Sequence, residues 1–171
     1  MTDSPSTNPD DKAAAPQATT CRHSKRARAA CPFIAIGLLA ILVGGLVAAA
    51  TARNPIPNLV WLVAYLVLIV GLAQMAFGLG QALFPEQPAG RMRIALRWLL
   101  YNLGNIGVIA GTLAGSFVAV AVGTVLLLVA LVLFLLAIQN AERTRWRDGY
   151  HALIGVVTIG ALVGLILSAL S

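Results

Sequence analysis

Polar and apolar positions along this chain fall into long blocks, with no fine alternation. Residues 1–31 are polar or small almost throughout. Five apolar runs follow, at about 32–50, 58–84, 94–115, 117–138 and 151–170. A helix rises ~1.5 Å per residue and needs ~20 apolar residues to cross ~30 Å of hydrocarbon. Each run meets or approaches that length. Backbone groups in lipid must pair inside their own segment, so each run is expected to be a helix. The pattern therefore predicts an all-α integral membrane protein with five transmembrane helices.

The links are short. TARNPIP joins the first two runs, PEQPAGRMR the next two and Gly115-Ser116 the third to the fourth, while QNAERTRWRDGY is the longest connection. Links of this length make successive helices antiparallel neighbours. The 31 residues before the bundle divide into MTDSPSTNPDDKAAAPQATT and the basic CRHSKRARAAC. The first part lacks aromatic residues and cannot bury enough surface to fold. The expectation is a disordered tail ending in a membrane-proximal basic anchor for anionic lipid. A signal peptide is the competing view of residues 32–50, with ATA at 50–52 as a cleavage site. The preceding stretch is too long, and the apolar run too extended, for that pattern.

Composition agrees with lipid as the solvent. Of 171 residues, 59% are hydrophobic and 11% charged, against ~45–50% and ~25% in a soluble domain. The net charge of +6 comes from basic residues clustered outside the apolar runs. Removing the spans leaves no basic folded surface, which excludes a nucleic-acid partner. Lys12, Arg22, Lys25, Arg26, Arg28, Arg91, Arg93, Arg97, Arg143, Arg145 and Arg147 fall on one side of the five-span topology, and Arg53 alone on the other. The positive-inside rule then puts the N-terminus in the cytoplasm and the C-terminus outside it. Arginine makes up ten of the twelve basic residues and alanine and glycine are abundant, which suggests a bacterial source and a cell inner membrane.

Candidate chemistry is sparse. No Asp or Glu lies in a span, and proton-coupled transport depends on such groups. Cys21, His23 and Cys31 lack the four-ligand spacing of a zinc site. His151 sits at a helix edge without a second haem ligand, and no serine or cysteine has a nearby base. No catalytic, metal or cofactor residue is expected, and the protein is expected not to be an enzyme.

The polar residues inside the spans are the remaining signal. At 100° per residue, Gln74 and Gln81 share an arc of about 80° with Gly71 and Gly78. Asn102 and Asn105 share a similar arc of about 80° with Trp98 and Thr112. Depth counted from the helix ends puts Gln81 near Asn102 and Gln74 near Asn105, so two amide pairs are expected between the second and third helices. Arg97 is expected to snorkel to the headgroups beside Trp98 and Tyr101. Gly107, Gly111 and Gly115, and Gly160, Gly164 and Ser168, repeat at intervals of four. That small-residue spacing lets helices approach closely. The fourth run, apolar nearly all round, is expected to face lipid.

Together these features suggest a non-enzymatic accessory or structural subunit. It would pack against itself as a homo-oligomer or against another membrane protein through its glycine faces. The alternative is a small oligomeric channel or carrier for a neutral solute, using the Gln74, Gln81, Asn102 and Asn105 cluster. A third reading is a regulator acting through its basic tail.

Overall fold

The computed structural model describes residues 9–83, 90–139 and 145–170; residues 9–29, Arg91 and Leu167 are described by backbone alone. Five helices are long and apolar enough to cross a membrane, and every regular element among the described residues is helical. They are α1 (Pro9–Thr51), α2 (Pro57–Leu83), α3 (Arg91–Ala114), α4 (Phe117–Ala137) and α5 (Arg145–Leu170). Large apolar side chains cover the outside. Leu46, Leu68, Ile106, Val118 and Ile159, one from each helix, are all more than half exposed. Soluble monomers rarely show contiguous apolar surface beyond a few hundred Å². The fold is that of a multi-pass membrane protein.

Helix boundaries follow local chemistry. Ile56 is extended and Pro57 opens α2, where its fixed φ suits the helix and its missing N–H costs nothing. Gly115 ends α3 in the left-handed region at φ 63°. Its N–H bonds the Thr112 carbonyl at 3.4 Å, and the Ser116 N–H bonds that of Gly111 at 2.8 Å. This is the Schellman closure. Ser116 then caps α4, its hydroxyl facing the Ala119 N–H at 3.5 Å. A Cβ on Gly115 would meet nothing within 4 Å. Gly115 therefore serves the turn, since two antiparallel helices joined this tightly need a residue at positive φ, and it makes no close contact with the other described helices.

Two further expectations change. The backbone of α1 is helical from Pro9, through most of the stretch expected to be a disordered tail. Alanine, lysine and arginine are good helix formers, and the first span supplies a nucleus from which winding extends. Residues 1–8 of that tail lie outside the described residues, as do Glu86, Glu142 and Arg143. The other change concerns α4, expected to face lipid. It is the most enclosed span, with 39% of its apolar window buried against 12% for α5. A helix apolar on every face suits a central position.

Packing starts from two hairpins, α1 with α2 and α3 with α4, and α5 lies against α4. Glycines set the closest approaches. A Cβ on Gly111 would stand 2.5 Å from the Val120 nitrogen, and one on Gly123 would stand 2.5 Å from the Val108 nitrogen. Gly104 and Gly107 meet the α4 backbone at 2.7 and 2.8 Å in the same sense. The expected small-residue face of α3 is thus used, with Gly104 in place of Gly115 and Gly123 opposing it. In the other hairpin, Gly71 receives Ile41 and Gly78 receives Phe33.

Between the hairpins lies an aromatic cluster to which every helix contributes one ring: Phe33, Phe77, Tyr101, Phe134 and Tyr150. Ring centroids of Phe77 lie 4.9 Å from Phe134, 5.5 Å from Tyr101 and 5.7 Å from Tyr150, and Phe33 meets Phe134 at 5.9 Å. Offset and edge-on pairs of this kind contribute about 0.5–1.5 kcal/mol each beyond the area they bury. Tyr101, expected at the interface, is fully buried here. The cluster lies toward the end of the bundle that carries Arg97, called below the arginine end; the opposite end is the turn end, after Gly115-Ser116.

Candidate functional site

Where α2 passes the middle of the bundle its winding widens. Leu66–Ala73 is a π-helix, flanked by α-helical Pro57–Tyr65 and Gln74–Leu83. Such segments shift the hydrogen-bond register and recur at functional sites. Three side chains bind α2 and α3 together around it. The Tyr101 hydroxyl donates to the Ile69 carbonyl at 2.6 Å. The Tyr65 hydroxyl donates to Asn105 Oδ1 at 2.8 Å, and Asn105 Nδ2 donates to the Tyr101 carbonyl at 2.8 Å.

The four amides expected to pair across α2 and α3 do otherwise. Asn102 Nδ2 turns back on the Trp98 carbonyl of its own helix at 2.8 Å. Gln81 Oε1 accepts from Arg97 Nη1 at 3.2 Å. Gln74 is fully buried, and neither atom of its amide has a partner among the described residues. The expected pairs Gln81–Asn102 and Gln74–Asn105 are therefore not made. The backbones of α2 and α3 are not close neighbours, so bridging falls to long side chains, the two tyrosines and Arg97. A short asparagine satisfies its donor on the carbonyl four residues back.

Tyr65 and Tyr101 are the bridging residues that sequence reasoning missed. The available signal was a tyrosine well inside an apolar run: a phenol there needs a partner for its hydroxyl.

A chamber of ≈ 860 Å³ occupies the turn end. Trp61, Tyr65 and Ile69 of α2 wall one side, the stretch from Gly111 to Leu127 closes the back, and Gly160, Gly164 and Leu165 of α5 form the other side. Trp61 and Tyr65 stack at 5.1 Å. The chamber ends on Leu127 and Val157, members of the same core as the aromatic rings. It exists because α5 approaches α2 chiefly along Leu66–Leu83, leaving the two apart toward their other ends.

Its size falls within the ~300–1,000 Å³ of small-molecule sites. The chamber is open to its surroundings, so apolar groups from outside the chain have access to it.

The glycine face predicted for α5 lies on this chamber. A Cβ at Gly160 or at Gly164 would meet nothing within 4 Å, so these two residues pack against no part of the described chain.

Chemically, the described interior offers hydroxyls, amides and the guanidinium of Arg97. Among the described residues no group of three or more His, Cys, Asp or Glu side chains could hold a metal ion. His151 is exposed, with Nδ1 2.7 Å from the Arg147 carbonyl of its own helix. These groups can hydrogen-bond, exclude and position; they do not form a nucleophile–base pair.

The fold and this chamber define the class, a multi-pass α-helical membrane protein with a polar bridge at mid-bundle and an open apolar chamber at one end. Comparison with protein-family models, curated proteins and solved structures finds no match to the chain.

Proposed function

We propose that this protein is a non-enzymatic accessory subunit of a bacterial inner membrane, with its N-terminus in the cytoplasm and its C-terminus outside. A helix of another membrane protein seats against α5 at the mouth of the chamber. One contrast carries the reading. Gly104, Gly107, Gly111 and Gly123 are in backbone contact inside the chain, whereas a Cβ added at Gly160 or Gly164 would meet nothing within 4 Å among the described residues. Glycine in a helix costs up to about 1 kcal/mol relative to alanine. Two of them one turn apart, facing open space, are accounted for by a helix that arrives from outside. The orientation rests on the eleven basic residues of one side, and the basic tail adds an attraction to anionic lipid.

The test is extraction of the tagged protein in native lipid particles, with intact-mass analysis of what accompanies it. A foreign membrane protein in fixed ratio is expected, and it should be lost from the Gly160→Leu and Gly164→Leu variants. A homo-oligomer with no companion would overturn the accessory role.

One observation favours the channel or carrier alternative: the buried Gln74, with both amide atoms unpartnered. Solute flux through the purified protein in vesicles, lost in Gln74→Leu and Asn105→Leu, would establish it.

A further inference from the structure

Arg97 lies inside the apolar span of α3, half-buried, and is held by one long contact. Its Nη1 donates to Gln81 Oε1 at 3.2 Å, where charged N–H donors usually sit at ~2.7–2.9 Å. A guanidinium has five N–H donors, so most of this one is uncommitted. The charged or titratable groups whose electrostatics reach it are Tyr150 and Arg93; no carboxylate among the described residues does so.

The surroundings are donors too. Gln81 is 7% exposed, and its Nε2 has no partner. It shares a carbon with the oxygen that Arg97 holds, so it lies beside the guanidinium. The indole Nε1 of the neighbouring Trp98 is likewise buried without an acceptor. Arg97 and Gln81 thus present adjoining donors, and Trp98 Nε1, on the next residue of α3, is a further buried donor. Among the described residues neither Gln81 Nε2 nor Trp98 Nε1 has an acceptor. Such a set suits an acceptor-rich anion.

We infer that Arg97, Gln81 and Trp98 form an anion site at the arginine end, built for the phosphate oxygens of a phosphodiester or phosphomonoester. The guanidinium swings off Gln81, whose long contact yields readily, and pairs two phosphate oxygens in fork geometry. That movement opens the Gln81 Nε2 and Trp98 Nε1 donors to the same group. Arg93, one turn toward the end of the helix and exposed, adds long-range attraction. Basic pockets between membrane helices bind anionic headgroups in this way, so the nearest source is a phospholipid of the facing leaflet; free phosphate from the aqueous phase has the same chemistry. A merely snorkelling arginine would touch any headgroup and would need neither Gln81 nor Trp98. The inference stands apart from the accessory role, since the site lies at the opposite end from the chamber.

Native mass spectrometry of the full chain, titrated with phosphatidylglycerol and separately with phosphatidylcholine, tests it. One phosphatidylglycerol per chain should be retained at least about tenfold more tightly than phosphatidylcholine. Arg97→Gln should abolish the preference and Trp98→Phe, which keeps an aromatic ring, should weaken it severalfold. Inorganic phosphate raising the thermal midpoint of lipid-free, detergent-solubilised protein, in wild type but not in Trp98→Phe, would identify the aqueous source for the same site. Equal retention of both lipids without such a phosphate effect overturns the site. So does a preference that survives both variants, or one that falls as far in Arg93→Gln as in Arg97→Gln.

Discussion

The two ends of this bundle solve the same packing problem in opposite ways. At the arginine end, five helices each lend one ring to a shared cluster, and Phe33, Phe77, Tyr101 and Phe134 are fully buried. At the turn end, four of those helices stand around ≈ 860 Å³ of space. Glycines show the divergence most directly. In the α3–α4 hairpin they are closed by backbone, and on α5 they are open. In lipid, where tails are as apolar as leucine, helices associate through close fit and hydrogen bonds. A seam filled by rings or bare backbone holds the chain to itself, and a small-residue face left unfilled is the surface on which the proposed partner helix would seat.

Substitutions can break this comparison, beginning with the largest effect. Phe134 touches three other rings, so Phe134→Ala should cost about 3–5 kcal/mol. Thermal or chemical unfolding in detergent reads it, and a loss below 1 kcal/mol would mean the arginine end is not the structural core.

Next comes a matched pair. Gly123→Leu should cost about 3 kcal/mol or more, because the obstruction is backbone that cannot step aside. Gly160→Leu should change monomer stability by no more than about 0.5 kcal/mol, as at an uncrowded surface position. Equal losses at the two positions would erase the distinction between closed and open glycines.

Smaller effects probe the bridge at mid-bundle. Tyr101→Phe removes the hydroxyl from the Ile69 carbonyl and should cost about 1 kcal/mol. The matched change at Tyr65 should cost less, ~0.6 kcal/mol, in line with side-chain hydrogen bonds between membrane helices. Gln74→Leu should leave stability unchanged or raise it by up to about 1 kcal/mol, since it removes an amide with nothing to bond. A clear destabilisation by Gln74→Leu would mean that the amide has a working partner inside the bundle, and would weigh against the solute-binding alternative.

Much of the architecture was legible in the residue pattern. Each span is a run of some twenty apolar residues, a signal set by membrane thickness and independent of how helices pack. A close-packing face on α3 was also visible in Gly107 and Gly111, because small residues every fourth position mark a face; that α4 meets it was not. What was lost lies at the level of side-chain reach and local winding. Angular position put Asn102 and Gln81 on facing arcs, but a short amide folds back onto its own helix while Arg97 and two tyrosines span the gap. Nothing in LVLIVGLA distinguishes a π-helix from an α-helix, as both leave its apolar side chains equally content. Gly115 fitted a packing stripe by spacing alone; only the turn after it, with φ at 63°, separates a closing residue from a contact. Gly160 and Gly164 matched the same spacing, yet among the described residues a Cβ added to either would meet nothing within 4 Å.

The one-ring-per-helix cluster also has a timetable. A ribosome delivers Phe33 first and Tyr150 last, with more than a hundred residues synthesised between them. Until the fifth helix enters, the pocket around Phe77 lacks a wall, and no four-helix intermediate can finish the core. A chain stopped before Tyr150 would leave Phe77 bare on the side that Tyr150 covers. The cluster therefore acts as a completion seal, closed by the final span and by nothing earlier.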